Sequence, residues 1–116
     1  MATTRTHFLK QFCHAAGVEE GTLTVRFRPD IPLGQFTRIH QWVSDTIRRE
    51  PKWSKGWLVV EHIRLDDATH IVAEIRDEMT PQERYEGGIS VEFEGPGWVE
   101  PLTILHLRRP SDPEDD

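Results

Sequence analysis

Apolar residues recur along this chain with two periods, and the switches between them divide it into elements. Phe8, Leu9, Phe12, Cys13 and Ala16 fall at helical spacing and predict a helix from about Thr4 to Ala16, ended by Gly17 with Val18 as the apolar residue of the cap. In TLTVRFRP the period drops to two: Leu23, Val25 and Phe27 alternate with Thr24, Arg26 and Arg28, as in a half-buried strand. Leu33, Phe36, Ile39, Val43 and Ile47 return to steps of three and four, predicting a helix over 33–50 that Pro51 stops.

The second half reads mainly as strands. Gly56 to Leu65 is one, and His70 to Asp77 reads as another, joined to it through Asp66, Asp67 and Ala68. Thr80-Pro81-Gln82-Glu83 is a capping box with proline at the first helical position, so a short helix follows and ends at Gly87-Gly88. Ile89, Val91 and Phe93 then alternate with Ser90, Glu92 and Glu94, and a Gly95-Pro96-Gly97 turn leads into a last strand from about Trp98 to Arg109, to which Pro101 would give a bulge or an edge start. The resulting expectation is an α+β, two-layer sandwich: a mostly antiparallel five-stranded sheet, two main helices on one face and a short third helix. Residues 1–109 form a single domain, and residues 110–116, SDPEDD after Pro110, form a disordered acidic tail.

Two strands depart from simple alternation. Leu58 and Val60 share one parity with His62 and Arg64, while Val59, Ile63 and Leu65 occupy the other. The last strand repeats this, with Leu102 and Ile104 followed by His106 and Arg108, against Leu105 and Leu107. Both strands therefore ask for burial on two faces. A two-layer domain buries one, and leaving Leu58, Val60, Leu102 and Ile104 in water would forgo about 1.5–3 kcal/mol for each full side chain. The expectation is a docking or homodimer surface made of these four residues with His62, Arg64, His106 and Arg108, the two strands lying side by side and antiparallel. Cover by this same chain, through segment 79–88 or a strongly curled sheet, is the alternative.

Charge adds a second candidate. The formal net charge of the 116-residue chain is −6, and the hydrophobic and charged fractions, 36% and 29%, are those of a folded domain. Without the acids of the tail the remainder is near −2, by about four charges. Such a balance disfavours indiscriminate nucleic-acid binding. Even so, Arg48, Arg49, Lys52, Trp53, Lys55 and Trp57 concentrate cations and rings in RREPKWSKGW, and could contact an anion or single-stranded nucleic acid. The same residues also read as a helix end with two core-closing tryptophans.

Enzyme signals are weak. There is no glycine-rich phosphate loop, no Cys-x-x-Cys and no nucleophile elbow, and no cofactor or metal is expected. Asp66, Asp67 and His70 read as turn formers, and His7 and His14 lie two helical turns apart. The single cysteine, Cys13, reads as a buried inert thiol. Glu61, by sharing parity with Val59 and Ile63, would point under the helices towards Arg38 or His40, where burial could suit it to acid–base work. A pocket around Glu61, His62 and His40 would make this a ligand-binding domain or small enzyme. With no bilayer-length apolar run and no apolar leader segment in MATTRTHFLKQF, the expected setting is the cytoplasm, and the leading expectation is a small interaction or regulatory domain with no membrane contact.

Overall fold

The computed structural model of the chain describes residues 2–4, 9, 11, 13–14, 17–54 and 56–107. It has the α+β architecture expected: one antiparallel sheet with helices α1 (Leu33–Ile47) and α2 (Leu65–Glu78) and a short α3 (Pro81–Glu86). The sheet has six strands, β1 (Ala2–Thr4), β2 (Glu20–Phe27), β3 (Lys52–Ser54), β4 (Trp57–Arg64), β5 (Ile89–Glu94) and β6 (Leu102–Leu107), in the order β1-β6-β5-β2-β4-β3. Four long strands form its body, and the three-residue β1 and β3 flank it as edges. Among the described residues no helix is long and apolar enough to cross a membrane. Arg108 and the segment 110–116 lie outside the described residues, as does Lys55.

Local signals explain most elements. In β2 and β5 the alternating apolar residues, Leu23 and Val25 in one and Ile89, Val91 and Phe93 in the other, are buried against the helices. α1 buries Ile39 and Val43 and stops at Ile47, three residues before the expected end, because Arg48 turns left-handed (φ 58°) and its N–H bonds back to Ser44. α3 has the expected capping box: Thr80 Oγ1 accepts from Glu83 N–H at 3.2 Å and Glu83 Oε1 accepts from Thr80 N–H at 2.9 Å. Burial pushes the Glu83 carboxyl up, but the Thr80 bonds and the Arg38 guanidinium on α1 outweigh it and hold the group below its usual range.

Three expectations are corrected. Ala2–Thr4 pairs with β6 rather than opening a helix, although Leu9, Gln11, Cys13 and His14 are helical. The last strand begins at Leu102, after Pro101, rather than at Trp98. Residues 70–77 are helical: Leu65, Ala68, Val72, Ile75 and Met79 recur at steps of three and four, and Asp66 and Asp67 sit in the first turn of α2, where negative charge suits the dipole. The β-branched pair Ile71-Val72 mimics a strand, but the spacing of the wider window decides.

The largest correction concerns the faces of β4 and β6. Leu58, Val60 and Ile104 are buried beneath the helices, at 0%, 1% and 0% exposure, and Leu102 is half-buried against the same core. Both strands carry a bulge that the alternation conceals. Between the pairs Leu23↔Val60 and Gly21↔Ile63, β2 advances two residues and β4 three, and the extra residue is absorbed at His62, whose φ is 55°. The bulge reverses parity, so Leu58, Val60 and Ile63 all face the core. Likewise Val91↔Leu105 is followed by Glu92↔Thr103, leaving Ile104 as the inserted residue of β6 and burying it beside Leu105. Opposite the first bulge, Gly21 lets β2 cross Phe93, since a Cβ there would lie 2.5 Å from the Glu94 carbonyl oxygen. β4 and β6 do run antiparallel, but β2 and β5 separate them.

Two outcomes check this arrangement. Leu58→Ala and Ile104→Ala should each destabilise the fold by about 2–5 kcal/mol in urea titrations; unchanged stability with a lower oligomer mass would instead place them on a surface. His62→Gly should raise stability by about 1 kcal/mol by relieving a left-handed residue, whereas loss of stability would mean His62 sits in ordinary strand geometry.

Candidate functional site

With the apolar faces of β4 and β6 spent on the core, the exposed apolar surface lies elsewhere. β2 ends at Phe27, on the helix-facing side of the sheet, and the chain turns through Pro29 and Pro32 before Leu33 begins α1. This abrupt strand-to-helix turn leaves Leu33, the first residue of α1, outside the core. Leu33 is 77% exposed there, and Phe36 and His40 follow on the same side of the helix. Edge strand β3 brings Trp53 across from the other direction, because Trp53 pairs with Leu58 and so shares its helix-facing side.

Phe36 packs edge to face against both Phe27 and Trp53. Phe36 lies 4.8 Å from Trp53 and 5.2 Å from Phe27, at 72° and 71°, and His40 stands 6.0 Å from Phe36. They line an open cleft of about 640 Å3 with Arg28, Pro29, Ile31, Leu33 and Gly56. Trp53 remains 56% exposed, whereas Trp42, Trp57 and Trp98 are half-buried. The polar rim is spare. Arg28 is almost wholly buried, and its guanidinium is committed to the Gly87 carbonyl, to Glu86 at 3.0 Å and to Asp30 at 3.3 Å. His40 faces Glu50 at 3.3 Å.

The residues singled out from the sequence are scattered. Trp53 and Trp57 stand on opposite sheet faces: Trp57 pairs with Arg26, whose guanidinium lies 4.1 Å over its ring and 3.1 Å from Glu92. Arg49 donates to the Glu61 and His62 carbonyls, Lys52 binds Glu61 at 2.8 Å, and Arg48 is the exposed end of α1. RREPKWSKGW is therefore not one basic-aromatic patch. Lys55 lies outside the described residues.

Glu61 points away from the helices. The hydrogen bond from Lys52 and its charge hold the carboxyl below the usual range, the opposite of what a buried general acid requires. Arg38 pairs with Glu83 rather than Glu61. His62 reaches Glu20 at 3.3 Å, Arg64 reaches Asp67 at 3.4 Å, and His106 lies on the open sheet face, so these groups form no common anion site. Asp66 and Asp67 start α2, His70 contacts Glu74 at 2.8 Å, and among the described residues no group of three His, Cys, Asp or Glu could hold a metal. Cys13 is buried, which raises its thiol pKa and keeps it protonated.

Trp53 and His40 stand out in the sequence as candidate site residues, whereas Phe27, Leu33 and Phe36 read as ordinary core positions. The missed signal is PDIPLGQF: two prolines closing a turn, with an apolar residue at the first helical position where nothing remains to cover it. Iodide quenching checks the exposure of the cleft. Trp53→Phe should remove most of the quenchable tryptophan emission, and quenching equal to that of the unsubstituted chain would show that Trp53 is covered. The chain matches no family model, no curated protein and no solved structure.

Proposed function

We propose that this chain is an interaction domain that holds an extended, proline-bearing segment of a partner protein in the cleft formed by Phe27, Phe36 and Trp53. The observation that carries this reading is the exposure of Leu33 and Trp53, at 77% and 56%, in one aromatic-lined cleft. Two large apolar groups standing in water at one site favour a partner that covers them. Ring-lined grooves suit polyproline II segments, whose rigid pyrrolidines stack on aromatic faces at little entropic cost and whose backbone carbonyls are free to accept. The Trp53 indole N–H is a donor suited to such a carbonyl.

A small-molecule pocket is less well supported. The cleft has the volume for one, but such sites enclose the ligand and present a few convergent polar groups. Here Arg28 is saturated by Glu86, Asp30 and Gly87, which leaves few convergent polar groups for a small ligand.

Decaproline is a direct probe, with a glycine–serine peptide of equal length as control. Titration should shift the Trp53 indole cross-peak saturably with a Kd of roughly 0.1 mM, as expected of a single small groove, and Phe36→Ala should weaken it about tenfold. Equal response to both peptides, or no shift of Trp53 at millimolar decaproline, would overturn the reading.

A further inference from the structure

Resting on the interaction reading above, we propose that the chain supplies its own occupant for the cleft: residues 110–116, PSDPEDD, dock intramolecularly through Pro110 and Pro113 and compete with a partner segment. Strand direction carries the argument. β2 and β6 run parallel, separated by β5, so Phe27 at the end of β2 and Leu107 at the end of β6 emerge at the same end of the sheet. Leu107 is paired with Ile89, and Ile89 with Phe27. Two strand spacings, about 10 Å, therefore separate the end of β6 from the first ring of the cleft. The backbone confirms the proximity: the Leu107 carbonyl accepts from Gly88 N–H at 2.6 Å, and the Gly88 carbonyl accepts from Arg28 N–H at 2.7 Å.

Residues 108–110 span up to about 10 Å when extended, which brings Pro110 to Phe27, and the next three residues carry Pro113 across the cleft. Pro110 and Pro113 are three apart in PSDP. A polyproline II segment has three residues per turn, so both rings present on one side, facing the same aromatic floor. The acids Asp112, Glu114, Asp115 and Asp116 intervene or follow, and remain in water. The prolines rather than the charges make the contact, because Arg28, the lining cation, is already paired with two carboxylates.

The test compares the full chain, a chain ending at Arg109, and Pro110→Ala/Pro113→Ala in the full-length chain. The Trp53 indole cross-peak of the truncated and double-alanine chains should coincide with each other and differ from that of the full chain. The synthetic heptapeptide PSDPEDD, added to the truncated chain, should move the peak back. Decaproline should bind the truncated chain about fivefold more tightly than the full chain, as removal of a tethered competitor requires. Identical Trp53 peaks in all three chains would overturn the proposal, as would a tail-dependent shift that grows with protein concentration, which would assign the contact to a second copy. Equal decaproline affinity for the full and truncated chains would also overturn it while leaving the cleft reading intact. Absence of decaproline binding to either chain would sink the cleft reading, and the tail contact would then stand or fall on the indole comparison alone.

Discussion

The core aliphatic side chains of the four long strands have to reach one face of one sheet, and two inserted residues make that possible. The period of a strand is two, so a sequence whose apolar residues change parity midway must either expose half of them or change the strand's phase. β4 and β6 change phase. His62 accepts a left-handed conformation and Ile104 is accommodated as an extra residue, and in return Leu58, Val60, Ile63, Leu105 and Leu107 share a core with Ile71, Val72 and Ile75 of α2. A left-handed non-glycine residue costs about 1–2 kcal/mol, less than the roughly 1.5–3 kcal/mol lost for each aliphatic side chain left in water.

That choice determines where the surface can be apolar. The sheet face turned from the helices carries Thr24, Arg26, Trp57, Val59, Glu92 and His106, a mixed band held by the Arg26–Glu92 ion pair and the guanidinium over Trp57. It is a poor greasy platform. An apolar cluster lies instead where the Pro29–Pro32 turn leads from β2 into α1 and β3 supplies one ring from the edge. Function and fold thus meet at a boundary: Phe27 belongs to the core side of β2, yet its ring floors the cleft.

Much of the fold was legible. Alternation in β2 and β5, the three-four spacing of α1 and the Thr80 capping box are local signals, each created by a few neighbouring residues, and each element is present, with α1 shorter at its end than its spacing predicts. What was hidden depends on pairing. A bulge is invisible along one strand because it exists only relative to a partner that advances by a different number of residues, so simple alternation puts Glu61 on the wrong face and Leu58 at the surface. α2 mimics a strand over a short window: Ile71, Ala73 and Ile75 alternate, while Leu65, Ala68, Val72, Ile75 and Met79 together follow a helix. The cleft was half visible, as Trp53 and His40, since Phe27 and Phe36 join it only through the turn between β2 and α1.

The phase reversal in β4 is the point on which both the core and the location of the cleft rest. Its direct test is a methyl nuclear Overhauser spectrum combined with the His62 coupling constant that reports φ. The account predicts that Val60 and Ile63 methyls both contact α2, that Val59 methyls do not, and that His62 gives a positive φ. Contacts to α2 shared by Val59 and Ile63, with Val60 in solvent and an extended His62, would contradict it.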